Sequence, residues 1–346
     1  MLRCCGVHAR GRQPGPRIAW GHVAPDRVTD TTRAEWAAAG AAPHRRRPGG
    51  GGQAPAAGTA TITKRHHRCG LAWLTQPVQE LDPVALLAAY DAQLRGHPPD
   101  PMPVGWHVER DGPVLRHYTQ HGGFIGYRSV ADVTADELDA LIARQRNIFA
   151  ARGEPVEWKW HSHDLPSDLP DRLRAAGFAP KDRETVVVGL AEPLTVDPPV
   201  LPEGVHLRQV TERADLDRIA AMRAQVSNQE RSRLAEGLTA ELAADPTSLT
   251  ILVAEAGDDV VSAGWVRYVK GTEFASLWGG STLRHWRRRG IYRALVAARA
   301  RLAVARGYRY LQVDASDDSR PILERLGFVP LMVTVPYVFS PTGAPA

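Results

Sequence analysis

The sequence predicts an α/β fold laid down twice along one chain, and three observations carry that expectation. Strand-type and helix-type runs alternate from Leu81 to Phe339. The segments AARGEPVEWKWHSHDLPSDLPDRLRAAGFAP (150–180) and VARGYRYLQVDASDDSRPILERLGFVP (304–330) share one order: helix end, strand, Asp-Ser loop, short helix, Gly-Phe-x-Pro. A length of 346 residues suffices for two domains, each with its own core.

Composition narrows the function classes. An apolar fraction of 43% and a charged fraction of 23% are those of a soluble globular protein. The net charge of +5 points to nucleic acid until it is located. Residues 1–75 hold 12 of the 43 Lys and Arg and 3 of the 38 Asp and Glu, which leaves 31 basic against 35 acidic residues elsewhere. The patterned part of the chain is thus mildly acidic, and nucleic acid loses its support as a partner. Cys4, Cys5 and Cys69 all fall in the basic leader, so neither a disulfide framework nor a thiolate metal site is expected in the fold. The start, MLRCCGVHARGRQPGPR, has no apolar signal core, and no run of roughly 18 apolar residues occurs. A cytoplasmic protein without a membrane partner is the expectation.

The elements follow in order. Residues 1–76, with PHRRRPGGGGQAPAAGTA, show little hydrophobic periodicity and are expected to be a disordered basic leader. An extension from a misplaced start codon fits them better than a nucleic-acid arm. Residues 77–192 are the first copy: LDPVALLAAYDAQLRG predicts a helix with Leu86, Leu87, Tyr90 and Leu94 on one face, and ADELDALIARQRNIF a second helix. The proline-rich AEPLTVDPPVLPEG reads as extended chain, with residues 193–204 as the linker.

Residues 205–346 are the second copy. VHLRQV is a strand, and DLDRIAAMRAQV and SRLAEGLTAELAAD are helices with apolar residues three and four apart. LTILVAEAG and VVSAGWVRYVK are strands joined across Gly257-Asp258-Asp259, a hairpin signal. In the strand FASLWGGSTL, Gly279-Gly280 marks a bulge or the close approach of another backbone or a ligand. An arginine-rich turn then opens a helix with Ile291, Leu295, Ala298 and Leu302 on one stripe. RYLQVDA, RPILERL and PLMVTVPYVF complete the copy as strand, short helix and strand, with Gly327 as a left-handed helix cap and Phe328 packing back.

The turn RHWRRRGIYRALV, Arg284–Val296, is a recipe for binding an anion. The first N–H groups of a helix have no internal partner, and the helix dipole adds roughly half a positive charge there. Gly290 lets backbone approach a pyrophosphate, and Arg287 and Arg289 can add charge-assisted hydrogen bonds. Neither GxxxxGK[ST] nor GxGxxG is present.

In these residues the chain resembles the GNAT acetyltransferase superfamily, whose signature [RQ]xxGx[GA] opens a helix and is followed later by a short helix ending in LGF. Arg287-Arg288-Arg289-Gly290-Ile291-Tyr292 and Leu326-Gly327-Phe328 supply both, and the resemblance covers about 205–339, nearest to bacterial two-domain members. It implies a GNAT fold, a mixed, mostly antiparallel sheet flanked by helices, with a second, degenerate GNAT-like domain at the N-terminal side. It implies acetyl-CoA as cosubstrate, its pyrophosphate cradled at Arg289 to Tyr292 and its pantetheine amides paired along the strand edge at Thr282 and Leu283. Tyr292 replaces the usual final Gly or Ala. Leu323 stands where many members carry a tyrosine that protonates the departing thiolate.

Direct transfer requires a neutral amine to attack the thioester carbonyl, and an alkylamine titrates near 10.4, so a base must take its proton. Asp314, ending YLQVDA, and Glu255, ending ILVAE, are the candidates, each with a loop carboxylate or helix cap as its alternative. The expected acceptor is a small-molecule or peptide amine. A non-catalytic acyl-CoA sensor is the alternative that Leu323 permits. Trp265, Trp278 and Trp286 read as core rather than pocket wall, and His161 and His163 as a loop pair rather than a metal site. The first copy has no arginine-glycine turn before its helix.

Overall fold

The hydrophobic alternation of the strands and the two Gly-Phe-x-Pro endings resolve into one continuous sheet. The computed structural model describes residues 81–98, 102, 105–119, 122–197, 199–227 and 232–341. The predicted leader, 1–76, lies outside them.

The first half runs α1 (Pro83–Leu94), β1 (His107–Asp111), β2 (Val114–Thr119), β3 (Gly122–Tyr127), α2 (Ala135–Arg152), β4 (Val156–His161), α3 (Leu169–Ala175), β5 (Ala179–Pro180) and β6 (Glu184–Leu190). The second runs β7 (Val205–Val210), α4 (Arg213–Ser227), α5 (Ser232–Ala244), β8 (Leu249–Ala256), β9 (Asp259–Tyr268), β10 (Phe274–Thr282), α6 (Ile291–Val304), β11 (Tyr310–Ala315), α7 (Arg320–Glu324) and β12 (Val329–Phe339). The predicted linker is not wholly extended: Glu192–Thr195 form a 3-10 turn. Pro193 sets φ for such a turn, and Leu194 packs on the core beside α6.

Strand order is β1-β2-β3-β4-β12-β6-β11-β10-β9-β8-β7, with β5 beside β12. Every pairing is antiparallel except β3 with β4 and β10 with β11. The order reveals a reciprocal exchange. Strand β6, the last of the first half, pairs with β11 of the second, and β12, the last of the second, pairs with β4 of the first. The two exchanged strands pair with each other in the middle. Phe328, expected to pack back onto its own helix cap, does so and lies on Gly189 of β6.

Each half buries its own face. Leu138, Leu141, Ile142 and Phe149 of α2 pack on Val156 and Trp158 of β4. Val296, Ala300 and Ala303 of α6 pack on Ala275, Leu277, Leu311 and Val313. Because successive strand residues point to opposite faces, Ser276, Trp278, Gln312 and Asp314 are left for the other side of β10 and β11. Among the described residues no helix is long and apolar enough to cross a membrane.

Candidate functional site

Strands β10 and β11 run side by side only through Phe274↔Tyr310, Ala275↔Leu311 and Ser276↔Gln312. From Leu277 onward β10 keeps its pairing with β9 alone, broken by a bulge between Trp278 and Ser281. The bulge follows from Gly279 and Gly280. Gly279 is left-handed, φ +67°, and a Cβ there would fall 2.0 Å from the Trp265 ring. A Cβ on Gly280 would fall 2.8 Å from Cε2 of Tyr292. The bulge expected of the two glycines is present, and what closes on them is two side-chain rings, Trp265 and Tyr292, rather than a backbone or a ligand.

Beyond the bulge the chain turns into α6. Residues Arg284–Trp286 make a 3-10 turn, Arg288 is left-handed at φ 63°, and Gly290, the residue before the helix, is left-handed at φ 82°. The first backbone bond of α6 runs from Ala294 N to Gly290 O, and no side chain caps the helix. Among the described residues no acceptor meets the amides of Ile291, Tyr292 and Arg293, the orphan donors of a helix start. Arg284, Arg287, Arg288, Arg289 and Arg293 are exposed around them. Arg287 Nε donates to Thr282 O at 3.2 Å, and Arg289 stacks on Trp286 at 4.8 Å. Among the described residues, none of these five arginines pairs with a carboxylate. Pro199 and Val200 of the linker pass within 4 Å of the position a Cβ on Gly290 would take.

The strand edge differs in detail from the expectation. The Leu283 N–H donates to Val261 O at 3.0 Å, so it is committed to β9. The Thr282 hydroxyl meets Ser262 Oγ at 2.8 Å, also toward β9. Antiparallel pairing turns alternate backbone groups to each side of a strand, and at these two residues the inner side has taken the amide and the hydroxyl. The unpaired edge facing β11 begins at Leu277.

On the opposite face of β10 and β11 lies a cleft of ≈ 620 Å³, lined by Tyr90, Tyr127, Lys159 and His161 from the first half and by Trp278 and Asp314 from the second, among others. Trp278 and Asp314 each stand two residues past the last β10–β11 pair, so the cleft floor is where the strands part. Helix α1 roofs it, tied down by Gln93 Nε2 on Glu273 Oε2 at 3.1 Å and by Glu273 N on Gln93 Oε1 at 2.8 Å.

Asp314 accepts from Lys159 Nζ at 2.5 Å and from Gln312 Nε2 at 2.8 Å. Burial alone would lower the Lys159 ammonium; Asp314, then Glu184, outweigh it and hold the lysine above its usual range. Glu255 is not brought to Asp314. It lies on β8, paired with β9 and not with β10, and takes hydrogen bonds at 2.8 Å from Arg208 and Arg218. The Arg208 bonds first, and Arg218 after them, hold its carboxyl at about 2 against the pull of burial. A carboxylate so bound is a weak base.

The histidine pair reads as structure. His163 Nε2 meets Asp91 Oδ2 of α1 at 2.9 Å, and the His161 N–H donates to Asp164. Asp164 also receives Arg95 at 2.7 Å and the Tyr127 hydroxyl at 2.5 Å. Burial would raise its carboxyl, but the bond from His161 and the charge of Arg95 hold it at about 2. Among the described residues no group of three or more His, Cys, Asp and Glu gathers as a metal ion would require. Trp265 and Trp278 are a cross-strand pair, Trp265 buried in the core as expected but Trp278 lining the cleft and so a pocket wall after all, because alternate strand residues face opposite sides of the sheet; Trp286 packs apart with Val205 and Ile291.

Lys159, Arg95 and Arg299 were not singled out in the sequence. Arg299 had a signal: four residues after Leu295, it falls on the predicted apolar stripe. Lys159 had a fainter one, a lysine inside the strand VEWKWH.

Among the described residues the first half shows no matching arginine-ringed, uncapped helix start. At the start of α2, the Glu137 carboxylate accepts from Thr134 N at 3.2 Å and Thr134 Oγ1 at 2.7 Å. This capping arrangement places a negative charge where α6 leaves open donors.

Residues 216–328 match the acetyltransferase (GNAT) family. In fold the chain resembles a GCN5-related N-acetyltransferase from Kribbella flavida, with TM-score 0.55 and 16% identity over 75% of this chain and 96% of that one. It also resembles a tandem GNAT protein from the clavulanic acid biosynthesis pathway, without AcCoA, with TM-score 0.52 and 14% identity over 75% and 94%. A Drosophila protein gives TM-score 0.51 and 14% identity over 75% and 97%. At such identities the likeness is one of fold. No curated protein matches the chain in sequence.

Proposed function

Because residues 216–328 match the acetyltransferase (GNAT) family, we propose that this protein binds acetyl-CoA at the turn before α6 and moves the acetyl group to a primary amine held in the cleft. The observation that carries the proposal is the pairing of an uncapped helix start, and of five arginines that meet no carboxylate among the described residues, with a strand that has just left its parallel neighbour. Orphan amides and guanidinium groups suit the doubly anionic bridge of the cosubstrate. Acetyl-CoA supplies an activated acyl group; the chain supplies the rest.

Binding on the α6 side and reaction on the cleft side are compatible because the two sites meet where β10 and β11 part. Asp314, which lines the cleft where β10 and β11 part, is the proposed proton acceptor, through water, for the attacking amine. Tyr90, Tyr127 and Trp278 give the cleft aromatic walls that exclude water. The acceptor is a small-molecule or peptide amine. The domains proposed are a degenerate GNAT-like half, 77–192, and a cofactor-binding half, 205–346.

The test is thiol release from acetyl-CoA with a panel of amines, beside calorimetry with acetyl-CoA. Turnover with at least one amine is expected. Binding without turnover supports an acyl-CoA sensor instead, and absence of binding removes both readings.

A further inference from the structure

The first half closes one end of the cleft with rings. Tyr90, His117, Phe124, Tyr127 and His161 all line it. His161 lies 6.4 Å from Tyr90 and 6.3 Å from Tyr127, and His117 lies 5.6 Å from Phe124, the separations of aromatic pairs in contact. The two histidines are 2% and 6% exposed, His117 the less. Burial pushes the His117 imidazole down to about 4, and it lowers His161 against the pull of Asp164. At pH 7 both are neutral rings beside the phenyl and phenol groups.

The fixed charges around these rings are already matched. Arg95, Lys159, Arg267 and Lys270 are the Lys and Arg residues of the lining. Arg95 pairs with Asp164 at 2.7 Å and Asp91 at 3.1 Å, and Lys159 with Asp314 at 2.5 Å and Glu184 at 3.7 Å. Arg267 pairs with Glu241 at 2.6 Å, and Lys270 with Asp245 at 2.7 Å. Among the described residues four cations thus meet six carboxylates, so an anionic group on a ligand would find every cation already held. A second ammonium on the ligand is no better placed. A guanidinium already lies over Tyr127, Arg95 at 5.1 Å from the centroid, and another over Trp278, Arg267 at 4.9 Å. Lys159, two residues before His161 and on the same face of β4, reaches from the rings to Asp314. One lysine side chain therefore separates the ring end from the place where β10 and β11 part.

We propose that the cleft takes a small primary amine whose single ammonium is carried on an aromatic body with no anionic group. The ring of the ligand enters among Tyr90, Phe124 and Tyr127, and its amine lies toward Asp314. This deepens the transferase reading above and rests on it. A volume of ≈ 620 Å³ exceeds what an amine alone fills and is that of a small-molecule pocket. The excess of carboxylates draws in a cation, and the rings favour an aromatic partner in offset or edge contact. Helix α1 across the cleft, held by Gln93 on Glu273, suits a small molecule rather than a polypeptide.

Calorimetry on the full chain, with and without CoA, compares phenethylamine with phenylalanine and with putrescine. Phenethylamine is expected to bind at least about 30-fold more tightly than either. In the acetylation assay kcat/KM should favour phenethylamine in the same way. Phe124→Ala opens the ring end from the half that lacks the anion turn. It should cut the preference for phenethylamine over butylamine, as a ratio of kcat/KM, about 3- to 10-fold, while acetyl-CoA affinity reports that the variant is folded. Phenylalanine or putrescine binding as tightly as phenethylamine, no binding of any of the three, or an unchanged preference in Phe124→Ala overturns the proposal. Selective binding of phenethylamine by a protein that acetylates no amine leaves the occupant of the cleft as proposed and removes the transferase reading. Turnover of all three amines without preference removes the proposed occupant alone.

Discussion

Lys159 of β4 reaches Asp314 of β11, with Nζ 2.5 Å from Oδ2, so the half that lacks an anion turn supplies a charged side chain to the floor of the cleft. The two side chains are 15% and 14% exposed. Removing one partner strands the other charge in a low-dielectric site. Lys159→Met is therefore expected to lower stability by about 3 kcal/mol. Lys159→Met with Asp314→Asn should recover at least about 1 kcal/mol of that. Urea unfolding of the four proteins measures the coupling; additive losses would mean that the pair does not interact.

Gly290 separates strain from charge. At φ +82° any other L-residue pays roughly 1–2 kcal/mol, and a Cβ there would make only ordinary contacts, with Val200 O at 3.7 Å and Pro199 Cβ at 3.9 Å. Gly290→Ala and Gly290→Asp should melt alike. The aspartate alone sets a carboxylate against the diphosphate, and acetyl-CoA affinity by calorimetry should fall more than about 100-fold relative to Gly290→Ala. Equal affinities would place the cosubstrate elsewhere.

At Gly279 the same backbone sign meets a crowded site. An added methyl combines left-handed strain with overpacking on Trp265, a loss of about 2–4 kcal/mol. In a Trp265→Leu background the loss from Gly279→Ala should shrink, because the ring that resists the methyl has gone. Calorimetric melts of the cycle decide it.

Glu255 predicts an acid limb of stability. Its carboxyl titrates at about 2 when folded, against 4.5 as reference, so between those values the unfolded chain binds a proton that the folded one does not. Stability from this group is complete above about pH 4.5 and is lost as pH falls toward 2. Glu255→Gln should unfold in urea with a flatter pH dependence across that window. An unchanged slope would show that Arg208 and Arg218 do not hold the carboxylate in solution.

One acetyl-CoA per chain is expected, since Glu137 occupies the start of α2 while the start of α6 is open. The titration belongs on the full chain: β6 and β12 are exchanged between the halves, and either half alone would lose a strand. A stoichiometry of two would refute the asymmetry.

Local pattern was legible where neighbours in sequence decide the outcome. The hairpin across Gly257, the left-handed cap at Gly327, the apolar stripe of α6 and the anion turn all depend on residues within a few positions of one another. The likeness of the two segments was legible for the same reason, since repeated local features leave a repeated string.

What joined distant residues was not. Nothing near Lys159 in sequence says that its partner is 155 positions away, because the partnership follows from strand exchange and from which face of a curved sheet each side chain takes. Glu255 ended a strand as Asp314 did, and only packing gave one of them to two arginines and the other to the cleft. The sequence by itself determined the elements, the repeat and the positive mouth of one helix, since hydrophobic period and turn chemistry act over a few residues. The tertiary structure decided which strands are exchanged, which carboxylate meets the cleft and which ring covers the bulge, because those depend on long-range register and burial, where a shift of one residue turns every side chain to the other face.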